Sequence, residues 1–328
     1  MYTNVPTTYA LGLDVGHSAV KVTSTFHRQI IKTAVCHAIQ ISDESEARRA
    51  LNDTYDVPGG GRYFVGDTAL VQGVHAAELG LSDGWIETPE YAALMLAGVR
   101  KVKNAAGGND PSALVMGLPA SLYARQKQQL LDLATSLFGT GMKLLVVPQS
   151  YAPYAGLKLN NLGMPDRRYA NTTSLAVIEV GYYTTDFAMI IDERPVERAN
   201  VSCSGVRVAV EALARALSAQ GIAADTHECE QALAARSIKH FGQQKAIGDL
   251  VDAASAALVT EVADAASRLF EQHARKMDAI VLAGGGARLV EDRLRSKWPN
   301  MIVPEDARFA VAEGLRRIGE ARLMTESR

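Results

Sequence analysis

Four short stretches carry residue types suited to handling nucleotide phosphates. The first is Leu13-Asp14-Val15-Gly16-His17-Ser18-Ala19-Val20-Lys21. Asp14 offers hard oxygens that a divalent cation can reach directly or through water. Gly16 lets the backbone turn without a Cβ, which brings the N–H groups of the turn close to an anion. Lys21 adds a compact positive charge suited to phosphate. Asp-x-Gly is also an ordinary hairpin turn, so the stretch gains meaning only from what accompanies it.

The second stretch, Glu179-Val180-Gly181-Tyr182-Tyr183-Thr184-Thr185-Asp186, echoes the first. It has a carboxylate, a glycine turn and two hydroxyls, with Thr184 and Thr185 as donors to phosphate oxygens and Asp186 as a holder of metal-bound water. The alternative is a hairpin whose threonines simply suit strands. The third, Val147-Pro148-Gln149-Ser150, ends an apolar run just before a helix. A glutamine there can orient an attacking water, and it is also a common solvated residue at a helix start. The fourth, Ala283-Gly284-Gly285-Gly286-Ala287, joins a strand to a helix. Its bare backbone, beside free helix N–H groups, suits a base or sugar, but it lacks the spacing of a dinucleotide fingerprint.

Strands over 10–15 and 19–25 position the first stretch, and an extended segment is expected from His27 to Ser42. Asp56 to Arg62 reads as a hairpin tip, because no Gly-Lys-Ser/Thr follows its glycines. A short strand at 63–66, a helix over 90–106 ended by Gly107-Gly108, a strand at 113–118 and a helix from Pro119 to Phe138 come next. A strand at 144–147 leads to Gln149 and a helix over 151–159. The polar run 160–173 marks a boundary. Beyond it come strands at 174–180 and 186–191, then a helix capped by Ser204 with Val206, Val210, Leu213 and Leu217 at helical spacing. Helices over 225–236 and 246–272, a strand at 279–283, and helices over 288–297 and 310–321 complete the chain. Strands and helices alternate through two similar halves, which predicts two α/β domains with a ligand between them.

The 328 residues carry 34 basic and 36 acidic side chains, a net charge of −2. That balance gives no general attraction to nucleic acid or to an anionic membrane. Three widely spaced cysteines, Cys36, Cys203 and Cys229, have no zinc-ligand spacing. They read as free thiols of a reducing cytoplasm. Neither a signal peptide nor a run of eighteen apolar residues is present, so a cytoplasmic protein without a membrane span is expected.

Taken in order, the four stretches resemble the phosphate-1, connect-1, phosphate-2 and adenosine motifs of the actin-like ATPase superfamily. Ala307 to Leu315 resembles its connect-2 helix. The short length, Tyr63-Phe64-Val65-Gly66-Asp67 and Pro148-Gln149-Ser150 point within it to the ParM/StbA type of plasmid-segregation protein. The resemblance implies an α/β, actin-like (ribonuclease H-like) two-domain fold with a nucleotide cleft between the halves. Domain I would be 1–158 with the terminal helix 307–328 packing back on it, and domain II 174–306. It implies binding of ATP, with GTP as an alternative, and Mg2+. Asp14 would hold magnesium through water, with Glu179 and Asp186 on the opposite side. Gly16, His17, Ser18, Ala19 and Lys21 would cradle the β- and γ-phosphates. Gln149 would position the hydrolytic water. Gly181 and Thr184, with Tyr182 and Thr185 beside them, would clasp the phosphates, and Gly284, Gly285, Gly286 and Ala287 would contact adenosine. Glu211 would be a ribose or base contact. Glu179 departs from the family's aspartate and carries its carboxylate about 1.5 Å further out.

The implied function is ATP-dependent assembly into head-to-tail filaments, with hydrolysis and with DNA cargo reached through a separate DNA-binding adaptor. A small-molecule kinase on the same fold is a second reading, but it needs a carboxylate base where Gln149 stands. An actin-like scaffold of cell division or pilus assembly is a third; such proteins reach a membrane, and the tail from Glu320 to Arg328 is polar.

Overall fold

The computed structural model describes residues 8–73 and 84–326. Among them the chain divides into two compact units. The first runs to Thr172 and resumes at Phe309; the second spans Thr173–Arg308. The outermost residues of the expected domain I and of its terminal helix lie outside the described residues.

In the first unit β1 (Ala10–Val15), β2 (Ala19–Thr23) and β3 (Arg28–Lys32) form an antiparallel meander. A small lobe follows, made of β4 (Val35–His37), α1 (Glu44–Ala50), β5 (Thr54–Val57), β6 (Gly61–Val65) and α2 (Asp67–Gln72), with sheet order β4-β6-β5. Then come α3 (Pro89–Ala105), β7 (Ala113–Leu118), α4 (Ala120–Phe138), β8 (Lys143–Pro148) and α5 (Ala152–Lys158). The main sheet is ordered β3-β2-β1-β7-β8, with β7 parallel to β1 and β8 parallel to β7.

The second unit has β9 (Leu175–Val180), β10 (Thr184–Ile191), β11 (Arg194–Pro195), β12 (Val201–Ser204), α6 (Arg207–Ala219) and α7 (Thr226–Ala235). A hairpin of β13 (Ser237–His240) and β14 (Gln243–Ala246) precedes α8 (Gly248–Ala274), β15 (Ala279–Ala283), α9 (Ala287–Arg295) and β16 (Met301–Ile302). The last helix, α10 (Ala310–Glu326), belongs to the first unit. The path β12-β10-β9-β15-β16 repeats, pair by pair and in the same parallel or antiparallel sense, the path β3-β2-β1-β7-β8. The internal echo read from the two glycine turns is therefore a repeat of topology.

Every residue of β1, β7 and β15 is buried, as apolar runs are when helices cover both faces of a sheet. In the first unit Leu11, Leu13 and Val22 join the side chains of α3 in one core. A Cβ on Gly98 of α3 would fall 2.6 Å from Leu13 Cδ1. On the other face α10 lies so close that a Cβ on Gly12 would strike the Ala312 carbonyl, and Gly314 meets Ala152 of α5 in the same way. The second unit gathers Ile178, Phe187, Leu213, Leu258, Phe270 and Leu282 into its own core.

Three local expectations change. The extended run expected over 27–42 stops at His37, and α1 follows, its first turn capped by Asp43, which accepts from Glu46 N at 2.8 Å. Ser204 does not cap α6. It ends β12, and its N–H and hydroxyl both donate to Glu261 of α8, while the helix starts at Arg207 after Gly205 and Val206. The β13–β14 hairpin fills a stretch to which the sequence reading gave no element.

Candidate functional site

The end of β1 carries the first set of groups. Register places Asp14 directly opposite Lys21 on β2, and Lys21 Nζ lies 3.2 Å from Asp14 Oδ2. The other carboxylate oxygen, Oδ1, accepts from Gln149 Nε2 at 2.8 Å. Gln149 follows β8, so its side chain must cross β7 to reach Asp14. Gly117 leaves that path open: a Cβ there would fall 2.7 Å from Gln149 Cγ. Asp14 is 4% exposed, so its charge is held in place by these two donors.

The turn from Gly16 to Ala19 is closed by Gly16 N donating to Ala19 O at 3.2 Å. A Cβ on Gly16 would sit 3.1 Å from Lys21 Nζ, so the glycine lets the ammonium approach the turn. Thr33 ties the turn from beneath, its hydroxyl donating to Gly16 O at 2.5 Å and its N–H to Ser18 O at 3.1 Å. His17 stacks its ring on Trp85 at 3.9 Å between centroids. Burial, with help from the Lys21 charge, pushes its pKa down to about 4. Trp85 meets Tyr91 edge to face, and burial, with the nearby Asp14 charge, pushes the Tyr91 phenol up. The structure thus brings Asp14, the Gly16–Ala19 turn, Lys21 and Gln149 together. Gly117, Thr33 and Trp85 are supporting residues that sequence reading missed. Only the tertiary path of Gln149 reveals the need for Gly117.

The second unit repeats the turn with different chemistry. Gly181 N donates to Thr184 O at 2.9 Å. Glu179 faces Asp186 where the first unit has Asp14 facing Lys21. Asp186 is 7% exposed, and its oxygens accept from Thr184 Oγ1 at 2.8 Å and from Ser202 Oγ at 2.5 Å. Burial outweighs these bonds and raises its pKa. Thr185 is fully buried and donates to Ser204 O at 2.9 Å. Thr185 and Asp186, read from sequence as phosphate and metal contacts, are therefore taken up in fastening β10 to β12. Strand alternation turns Thr185, with Phe187, into the core, and the register of β12 sets Ser202 opposite Asp186 on the other face.

The Gly284–Gly286 turn packs on the end of β9. Gly284 has φ +94, and a Cβ on it would fall 2.7 Å from Glu179 Oε1. Gly286 N donates to Val180 O at 3.0 Å. Gly285 is the open one of the three, its nearest neighbour being Arg308 Cγ at 3.9 Å. Ala287 is buried in the core, and its N–H donates to Gly284 O at 3.3 Å. Tyr182 packs edge to face on Tyr183. Glu211, one turn into α6, pairs with Arg207 at 2.7 Å on the surface and does not join the Glu179 set. Among the described residues no group of three or more His, Cys, Asp or Glu forms a ready-made metal cage, and no helix is long and apolar enough to cross a membrane.

The solved structures that this chain resembles share its fold at low identity. A ParM protein in a 15-stranded filament from Clostridium botulinum superposes with TM-score 0.73 at 18% identity, covering 95% of this chain and 99% of that one. An archaeal actin homolog, Ta0583, in complex with ADP gives 0.68 at 19% identity, covering 94% and 98%. Bacillus thuringiensis ParM with ATP gives 0.65 at 13% identity, covering 98% and 100%. No curated protein sequence matches. Two family models do: the N-terminal domain of actin-like proteins over residues 12–144, and the C-terminal domain of the archaeal actin homologue, MreB-like, over residues 177–296. With both halves matched in order and the topology of each in place, the chain belongs to the actin-like superfamily.

Proposed function

We propose that this protein binds ATP with magnesium, assembles head to tail into filaments and hydrolyses the nucleotide within them. The observation that carries the reading is the Asp14 carboxylate, held on one oxygen by Gln149 and on the other by Lys21, beside a glycine turn. Acid, amide and ammonium at one bare turn are the parts that phosphoryl transfer to water requires. The Gly16–Ala19 backbone and Lys21 bind the β- and γ-phosphates. Asp14, and in the second unit Glu179, are the carboxylates that would hold magnesium through water, which suits an ion that keeps several waters and takes few carboxylates. Magnesium held there would supply neutralisation of the phosphate charge. Gln149 orients the attacking water, and the fixed donors around it stabilise the charge that develops. The turn from Gly181 to Thr184 contacts the phosphates as well, with the Thr184 hydroxyl exchanging its bond to Asp186 for one to phosphate, and Gly285, with Arg308 beside it, receives the adenosine. GTP is the competing nucleotide.

Assembly is supported by the filament formed by the Clostridium botulinum ParM protein. Head-to-tail contacts use two different faces, so they generate an open filament rather than a closed dimer. Hydrolysis then loosens the contacts by shifting a conformational equilibrium. In this reading the cargo is plasmid DNA in the cytoplasm, engaged through a basic adaptor protein, since a net charge of −2 offers the DNA little directly. Sedimentation and electron microscopy with Mg-ATP test the proposal. Filaments that form with ATP and disassemble as phosphate is released support it; a protein that stays monomeric at high concentration with ATP or GTP contradicts it.

A further inference from the structure

The β13–β14 hairpin holds an aromatic ring out in solvent at a conformational cost. Phe241, at its tip, is 94% exposed and has φ +45, while Gly242 beside it has φ +83. A bulky residue in the left-handed region is strained, and a phenylalanine gains nothing from water. The hairpin makes a two-stranded sheet of its own, with every residue of β14 exposed. Such a ribbon has little stability by itself. It is braced at its base, where Ile247 N donates to Arg236 O and Lys245 Nζ donates to Gln220 Oε1 at the end of α6. From Ser237 to Ile247 it carries Lys239, Lys245 and His240 and no acid.

The same lobe carries a matching recess. Ala214, Ser218, Ala223 and Ala224 line an open hollow between α6 and the start of α7, with Arg215, Asp225 and Glu228 around them. A floor of small residues can take a ring, and an edge with two carboxylates to one guanidinium is net acidic against the basic flanks of the aromatic tip. Knob and hollow ride on one lobe, so two copies related by a two-fold axis can each seat Phe241 in the other's hollow, an isologous contact.

We propose that Phe241 of one copy docks in the Ala214–Ala224 hollow of a second copy and so ties two head-to-tail strands side by side. The inference rests on the filament reading, but the contact is distinct from the one that lengthens a strand. Removing an anchor ring of this kind acts on assembly by about tenfold or more.

Sedimentation of full-length protein with Mg-ATP, combined with electron microscopy, separates the two readings. Phe241→Ser, and independently Ser218→Trp, which fills the hollow from an exposed position, are expected to raise the concentration needed for bundled filaments about tenfold and to leave single strands and monomer ATP binding intact. Phe241→Cys and Ala224→Cys proteins, mixed, are expected to form a disulfide-linked dimer that neither gives alone. Wild-type bundling with Phe241→Ser and Ser218→Trp indistinguishable from it, or no cross-link in the mixture, overturns the inference and leaves the filament reading standing. Absence of any wild-type filament overturns both.

Discussion

Gln149 Nε2 donates a 2.8 Å hydrogen bond to Asp14 Oδ1 across 135 positions of sequence. The bond joins the end of β8 to the end of β1 over the intervening strand β7. It fixes the amide at the acid's side before any ligand arrives. Gly117 on β7 is the residue that permits it.

Gly117→Ala therefore displaces Gln149 without touching a ligand. A misplacement on the order of 1 Å costs a positioned reaction about 10²-fold. The expected outcome is phosphate release slowed by about one to two orders of magnitude, with ATP affinity within a few-fold of wild type. Single-turnover phosphate release beside an equilibrium ATP titration reads both. Equal rates in variant and wild type would remove Gly117 from the account.

Trp85 reports on the Gly16–Ala19 turn because His17 stacks on it at 3.9 Å. The other tryptophan, Trp298, is buried in the core of the second unit. ATP is expected to change tryptophan emission in wild type and in Trp298→Phe, and to leave emission unchanged in Trp85→Phe. A signal that follows Trp298 instead would place the nucleotide elsewhere.

His17 gives the fold a pH dependence of definite sign. Folded, it stays neutral down to about pH 4, whereas an unfolded histidine protonates near 6.5. The unfolded chain takes the proton first. The contribution of His17 is thus complete above about pH 6.5 and is lost as pH falls toward 4, by up to about 3 kcal/mol. His17→Phe keeps an aromatic ring on Trp85 and is expected to lose less stability between pH 7 and pH 5 in urea melts. Parallel pH profiles for the two proteins would contradict this.

Arg316 is the most deeply buried cation described, at 2% exposure. It donates to Glu313 Oε2 at 3.0 Å and to Asn161 O at 2.9 Å. Its neighbour Arg317 donates to the same carboxylate and to Leu159 O. Together they lock α10 to the loop after α5. Arg316→Ala strands Glu313 with half its partners and is expected to cost about 3–5 kcal/mol. Exposed Arg322→Ala should change stability by less than about 0.5 kcal/mol. Urea denaturation compares them; similar midpoints would show that the network does not hold the helix.

Much of the fold was legible because its signals are local. The fully apolar runs at 10–15 and 113–118 could only be interior strands, and Gly107-Gly108, at φ +65 and +93, ends α3 where expected. The two Asp/Glu-Val-Gly turns announced the repeat. Other parts were hidden because they are tertiary. Thr185 and Asp186 look like ligand groups until β12, which the pattern did not reveal, claims both. Gly117 looks like an ordinary strand glycine until Gln149 is seen passing over it. The hairpin carrying Phe241 escaped notice because its strands are polar and hide no core face. Helix α1 was legible in principle, since Asp43 with Glu46 three residues on is a helix-start pattern.

The central claim is that the Asp14–Gln149 arrangement hydrolyses ATP inside an assembled filament. Simultaneous light scattering and phosphate release after addition of Mg-ATP, for wild type and Gln149→Ala, test it most directly. The account predicts that both proteins scatter to a similar plateau, that wild type then releases phosphate and loses scattering, and that Gln149→Ala releases phosphate about 10²-fold more slowly and stays assembled. Equal phosphate release by the two proteins, or wild-type phosphate release with no rise in scattering, would contradict it.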